Sequence, residues 1–279
     1  MTLPAPLTDA GAAGLAALLE RPHGALLAFD YDGVLSPIVD DPAQARPHPR
    51  ALAALGHLAK HVGAIVVITG RPVDVVVALA GFADMPELAD LVVFGHYGRQ
   101  RWDARSKAVV APPESAAVAD ARAELGPLLA RLGVVDATIE DKGSSLAVHT
   151  RRSADPNRTL DQLRGPLTEF AIHHGLIVEL GRFVLELRPP GFDKGTALRR
   201  HVAERSATSV AYTGDDLGDL AAFAAVDALR EEGVPGVKIC SGSPEAVEVA
   251  KRADLVVDGP AGVADLLEAL LATLTHKPR

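Results

Sequence analysis

The sequence predicts an α/β fold, a parallel sheet covered by helices on both faces, with a smaller α+β segment inserted partway along it. Three observations predict this. Short apolar runs alternate with stretches whose apolar residues recur at helical spacing, as strand–helix–strand units require. The middle of the chain switches to strict apolar/polar alternation, the mark of half-buried strands. Proline clusters bracket that middle segment, Pro112-Pro113 before it and Pro189-Pro190-Gly191 after it.

The elements follow in order. ALLAFD at 25–30 is a strand ending in an acid, and RALAALGHLAKH at 50–61 is a helix. GAIVVI at 63–68 is a second strand, followed by Thr69-Gly70-Arg71. Pro72 falls where the first turn of a helix begins, a position proline tolerates. DLVVFG at 90–95, SVAYTG at 209–214, GVKIC at 236–240 and ADLVVD at 253–258 read as further parallel strands, each expected to lead into a helix. In the middle segment, residues 114–132 read as a helix. VVDATIED and SSLAVHTR read as strands, and residues 155–175 as a second helix with Asp155 as its N-cap. LIVEL and RFVLELR flank Gly181 as a hairpin. The expected division is therefore 1–112 with 190–279 as the core, and 113–189 as the insert.

The chain has 279 residues, enough for one large domain or two modest ones. Aromatic residues are 4% of it, so the core rests on Ala, Val and Leu and offers no base-stacking platform. The formal net charge of -8, with no basic block, argues against nucleic acid as a partner. An anionic substrate must then meet local positive charge or a metal. Cys240 is the single cysteine, so no internal disulfide forms, and a buried core position is expected for it. The N-terminal MTLPAPLTDAGAAG lacks the pattern of a signal peptide, and no apolar run reaches ~18 residues. The expectation is a cytoplasmic chain that does not enter a membrane.

Four local patterns carry chemistry. In LLAFDYDGVLSPI, Asp30 and Asp32 follow a strand and precede Gly33. Two carboxylates beyond a strand's carboxyl end can share a hard divalent cation, though a plain acidic turn is the alternative. In VVITGR, the Thr69 hydroxyl and the backbone N–H of Gly70 can hold a phosphate oxygen, or Thr69 can simply cap a helix. In RPPGFDKGTAL, Lys194 opens a helix just after the insert. In AYTGDDLGDLAAF, Asp215, Asp216 and Asp219 follow another strand, either completing a metal site or capping a helix.

Acid pair, hydroxyl, lysine and acid cluster come in the order that marks phosphatases of the haloacid dehalogenase superfamily, which the chain resembles. The resemblance implies a Rossmann-like parallel-sheet core with an inserted α+β cap domain. More narrowly, LLAFDYDGVLSPI, VVITGRP, GHYGRQRW, EDKGSSLAVHTR, FVLELRPPGFDKGTAL and GDDLGD look like trehalose-6-phosphate phosphatases, from about residue 25 to 258. The likeness implies Asp30 as nucleophile, Asp32 as general acid and base, and Thr69 and Lys194 as charge-stabilising groups. It implies Mg2+ held by Asp30, the Asp32 backbone carbonyl and Asp215. Asp219 stands behind that set, with Asp216 a weaker member. Gly70, Arg71, Glu140, Lys142, His149, Arg151 and Glu186 are the implied substrate contacts. Gly218 and Leu220 depart from the family pattern beside Asp219. The implied partner is a small sugar phosphate. A monomer and a functional link to a trehalose-6-phosphate synthase are also expected.

Other readings share these residues. A phosphatase for sucrose phosphate or mannosylglycerate phosphate would differ in the insert. A phosphomutase would pass the phosphoryl group to a second hydroxyl. A silent sugar-phosphate sensor would dispense with Asp30, Lys194 or Asp215, and all three are present. His96 and Tyr97 either line the site or pack and cap, Arg188 has a structural alternative, and His173-His174 are expected to finish a helix.

Overall fold

The computed structural model describes residues 2–181, 183–242 and 247–276. The chain divides into two compact units, one of Met1–Ala111 with Asp193–Arg279 and the other of Pro112–Phe192.

The first unit is built on an eight-stranded sheet. Its strands are β1 (Ala25–Phe29), β2 (Ala64–Ile68), β3 (Val92–Gly95), β4 (Gln100–Asp103), β5 (Ala108–Val110), β10 (Ser209–Gly214), β11 (Gly236–Gly242) and β12 (Leu255–Asp258), in the order β12-β11-β10-β1-β2-β3-β4-β5. The strands from β12 to β3 are parallel, with Phe29 opposite both Val67 and Thr213. One expectation fails here. β3 leads not into a helix but into an antiparallel pair, β4 and β5, which closes that edge.

Alternate residues of β1 face opposite sides, as the two-residue period of a strand demands. Leu27 and Phe29 join Leu18, Leu55, Val76 and Leu267 in one core. These four come from α1 (Asp9–Glu20), α2 (Pro49–Leu58), α3 (Val73–Ala80) and α9 (Gly259–Thr275). Leu26 and Ala28 face the other core with Leu198, Phe223 and Val249, from α6 (Lys194–Arg205), α7 (Leu220–Glu231) and α8 (Val247–Ala250). Burial on both faces explains why these strands read as unbroken apolar runs. Pro72 lies one residue earlier than expected, as the extended N-cap of α3 rather than its first helical residue.

The second unit pairs α4 (Ala116–Arg131) and α5 (Pro156–His173) with a four-stranded antiparallel sheet. Its strands β6 (Thr138–Asp141), β7 (Leu146–His149), β8 (Ile177–Gly181) and β9 (Val184–Arg188) run in the order β6-β7-β9-β8. Asp155 N-caps α5 by accepting from the Arg158 N–H. Leu125, Leu163 and Leu167 cover Leu146, Val148, Leu185 and Leu187. His173 ends α5 and His174 caps it, as expected. Of the two expected hairpin segments around Gly181, Arg182 lies outside the described residues.

Candidate active site

The site gathers at the carboxyl ends of β1, β2 and β10. Parallel pairing carries β1 one residue further, because the Asp30 N–H donates to the Thr213 carbonyl at 2.9 Å. That bond fixes the backbone from which the Asp30 side chain leaves. One carboxylate oxygen of Asp30 accepts from the Tyr31 N–H at 2.6 Å and the other pairs with the Lys194 ammonium at 2.8 Å. The chain then turns at Gly33, whose φ of +71° is left-handed. A Cβ there would lie 2.1 Å from an oxygen of Asp215, so both the turn and the close approach require glycine. The Ser241 hydroxyl donates to the Gly33 carbonyl at 2.6 Å and anchors the turn from β11.

Asp215 follows β10 directly. Asp30, Asp215 and Asp219 are all buried, and each offers a carboxylate oxygen within 4.8 Å of the others. Three acids this close need a reason to stay together. Asp219 has one in full. Its Oδ1 accepts from Lys194 Nζ at 2.7 Å and the Tyr212 hydroxyl at 2.6 Å, and its Oδ2 accepts from the N–H groups of Asp215 and Asp216. Burial works against its charge, but Lys194 outweighs burial and holds the carboxyl below the usual carboxylate range.

Asp215 has no such support. Its Oδ1 is buried without a hydrogen-bond partner. Burial first, then the charges of Asp219 and Asp30, push its carboxyl up to about 10. Burial likewise raises Asp30 despite Lys194. Burial disfavours the charge of Lys194 too, but Asp219 and Asp30 overcome it and hold the ammonium firmly protonated. One ammonium therefore faces three carboxylates. An orphaned buried carboxylate oxygen beside two other acids is the donor set a hard divalent cation takes. Asp30 and Asp215, with Asp219 behind them, fit such an ion.

Thr69 ends β2. Its hydroxyl accepts from the Arg71 N–H at 3.1 Å and caps no helix, which removes the simpler alternative for that residue. Tyr97 stands over Gly70, where a Cβ would come within 2.9 Å of its ring and hydroxyl. His96 and Tyr97 both adopt positive φ, 47° and 58°, and their N–H groups donate to Arg71 and Thr69 carbonyls. The loop after β3 thus clasps the Thr69-Gly70-Arg71 loop. Arg71 in turn grips Asp32 with two nitrogens, at 2.6 and 2.7 Å. Asp216 is exposed and caps the turn before α7 by accepting from the Gly218 N–H.

In the second unit, the expected contacts fall into pairs. Glu186 on β9 is buried, accepting from Lys142 Nζ at 2.7 Å and the Ser145 hydroxyl at 2.5 Å. His149 and Glu140 meet at 2.7 Å between β7 and β6. Arg151 lies exposed in the turn after β7. Arg188 pairs with Glu179 at 2.6 Å and donates to the Phe192 carbonyl, so its part here is structural. Tyr212, Ser241 and Ser145 were not singled out from the sequence. A tyrosine in an apolar strand does signal a hydroxyl needing a buried partner. The two serines carry no such signal.

A mostly parallel sheet with an acid pair just beyond one strand and an acid cluster just beyond a later one, with an interrupting α+β unit, defines the haloacid-dehalogenase-like hydrolase fold. A haloacid dehalogenase-like hydrolase from Bacteroides thetaiotaomicron shares it, with a TM-score of 0.63 and 17% identity over 88% of this chain and 98% of that one. The C-terminal domain of the C. albicans trehalose-6-phosphate phosphatase superposes with a TM-score of 0.77 at 22% identity, over 98% of this chain and 99% of that one. The family model described as Trehalose-phosphatase matches residues 28–258, and the chain belongs to that family. The trehalose-phosphate phosphatase of Mycolicibacterium paratuberculosis is 32% identical over 257 residues, 87% of this chain and 61% of that protein. The chain thus spans about three fifths of the length of the curated relatives it matches.

Proposed function

We propose that the protein hydrolyses trehalose 6-phosphate to trehalose and phosphate through an aspartyl-phosphate intermediate. The observation that carries this reading is the buried Asp30–Lys194–Asp219 chain with Asp215 beside it, on a chain of the trehalose-phosphatase family. An oxygen of Asp30 attacks phosphorus as the bond from phosphorus to the sugar oxygen breaks. Asp32 gives that oxygen its proton. Asp32 then takes a proton from the water that attacks the aspartyl phosphate, returning Asp30 and freeing phosphate. Lys194 and the Thr69 hydroxyl, with the Gly70 N–H, offset the charge of the phosphoryl oxygens. Asp30, Asp215 and the Asp32 backbone carbonyl would hold Mg2+, which would supply further charge neutralisation and orientation.

The second unit acts as the cap that reads the sugar, through Glu140, Lys142, His149, Arg151 and Glu186. A polyhydroxylated sugar needs several donors and acceptors, and this set supplies both. The test is phosphate release from trehalose 6-phosphate, sucrose 6-phosphate and glucose 6-phosphate, each with and without magnesium. Magnesium-dependent release that favours trehalose 6-phosphate supports the reading. Equal rates on all three refute the sugar assignment, and metal-independent release refutes the cation site.

A further inference from the structure

We propose that Arg71 is a positioning residue for Asp32 rather than a contact to the substrate. The inference rests on the hydrolytic reading above and assigns Arg71 a different task within it. Three side-chain nitrogens of Arg71 already donate within the protein. Nε and Nη2 form a fork to the two oxygens of Asp32, at 2.6 and 2.7 Å, and Nη1 donates to the Pro42 carbonyl at 2.8 Å. Paired bonds of this kind fix a carboxylate in both distance and plane, which a single contact does not. The fork takes both oxygens of Asp32, so the edge of the guanidinium that carries Nε and Nη2 is committed to that carboxylate.

The base of the Arg71 side chain is held as firmly as its tip. Its N–H donates to Thr69 Oγ1 at 3.1 Å, and its carbonyl accepts from the His96 N–H at 3.0 Å. The loop that supplies this bond carries two consecutive non-glycine residues at positive φ, a conformation that persists only where its surroundings hold it. On the far side, the guanidinium lies 5.9 Å from the Tyr31 ring centroid, and the Tyr31 hydroxyl donates to the Ala45 carbonyl at 2.7 Å. Arg71 therefore joins three loops, 31–33, 42–45 and 69–71, at the one carboxylate that must meet the leaving oxygen. Held this way, Asp32 pairs with Arg71 while the Lys194 ammonium serves Asp30 and Asp219.

The experiment compares two leaving groups. A sugar alkoxide needs a proton in order to leave, whereas a p-nitrophenolate does not. Pre-steady-state bursts with p-nitrophenyl phosphate and turnover of trehalose 6-phosphate are measured for wild type, Arg71→Met and Arg71→Lys. Burst amplitude counts folded sites, so rates are expressed per active site and partial unfolding cannot imitate the effect. For Arg71→Met, sugar-ester kcat is expected to fall about 10²-fold while the aryl burst rate changes less than about threefold and the aryl KM stays level. Arg71→Lys recovers part of the sugar-ester rate, because an ammonium restores the charge without the fork. Equal loss on both esters with a raised KM overturns the proposal in favour of a phosphate contact. No change on either ester overturns it as well. A wild type that releases no phosphate from either ester sinks the hydrolytic reading itself, a result distinct from both.

Discussion

Replacing Lys194 with methionine tests whether one ammonium holds the acid cluster together. The Lys194 side chain is 3% exposed, and its partners Asp30 and Asp219 are 7% and 0% exposed. Removing one partner of a buried pair costs about 3–5 kcal/mol, because a charge is left uncompensated. The structure argues for the lower end. Asp219 keeps the Tyr212 hydroxyl and two backbone N–H groups, and Asp30 keeps the Tyr31 N–H. Burial already pushes Asp215 up to about 10 and raises Asp30, so Asp219, held low by Lys194, is the group that takes up a proton when the ammonium goes. The expected loss is roughly 3 kcal/mol at neutral pH, or about 10 °C in the melting temperature for a domain of this size. Because the variant's native state binds extra protons, the loss shrinks as pH falls. Urea unfolding followed by circular dichroism, at about pH 7 and about pH 5, reads both features. A loss below about 1 kcal/mol at neutral pH, or an equal loss at both pH values, would refute the reasoning.

Three further perturbations probe other parts of the account. Gly33→Ala places a methyl group 2.1 Å from Asp215 at a φ of +71°. It is expected to cost about 1–2 kcal/mol and to weaken magnesium-induced thermal stabilisation, and an unchanged magnesium titration would contradict the close approach. His201, buried against Phe94, is held below its ordinary imidazole value by burial, with Glu204 opposing. The unfolded chain binds this proton more readily, so the stability His201 contributes is present above about pH 6.5 and lost as pH falls. His201→Phe should therefore flatten the loss of stability measured by urea unfolding between about pH 7.5 and about pH 5; an unaltered slope argues against a buried neutral imidazole. Glu140→Ala removes the partner of His149 and should lower kcat/KM for trehalose 6-phosphate at least about tenfold more than for p-nitrophenyl phosphate. Equal losses would deny it a part in reading the sugar.

Much of the fold was legible because parallel strands covered on both faces are plain apolar runs. ALLAF, AIVVI and SVAYTG could hardly be read otherwise. The antiparallel edge escaped for the opposite reason. QRWD buries only Trp102 and AVV is fully exposed, so neither carries a repeated apolar face to impose a pattern. Helix α1 was also unread, since its Ala- and Gly-rich DAGAAGLAALLE buries only Gly11, Gly14 and Leu18. Among site residues, Asp30, Thr69, Lys194 and Asp215 could be found because each follows or opens an element.

Their meeting could not be read from local pattern. It depends on β1 pairing with β10, whose residues lie 184 positions away, Ala25 opposite Ser209. The Arg71–Asp32 fork was invisible for a related reason. It depends on where two loops bring a guanidinium and a carboxylate, and no spacing in one dimension encodes that. Asp219 shows the same limit, because its role as acceptor for Tyr212, Lys194 and two backbone amides follows from the turn after β10.

The central claim is that Asp30 carries the phosphoryl group. Borohydride reduces an acyl phosphate to an alcohol, so trapping during turnover of trehalose 6-phosphate, followed by peptide mass spectrometry, reads the claim directly. Conversion of Asp30 to homoserine in wild type, absent in Asp30→Asn, is the predicted result. Continued phosphate release by Asp30→Asn, or homoserine at another aspartate, would contradict it.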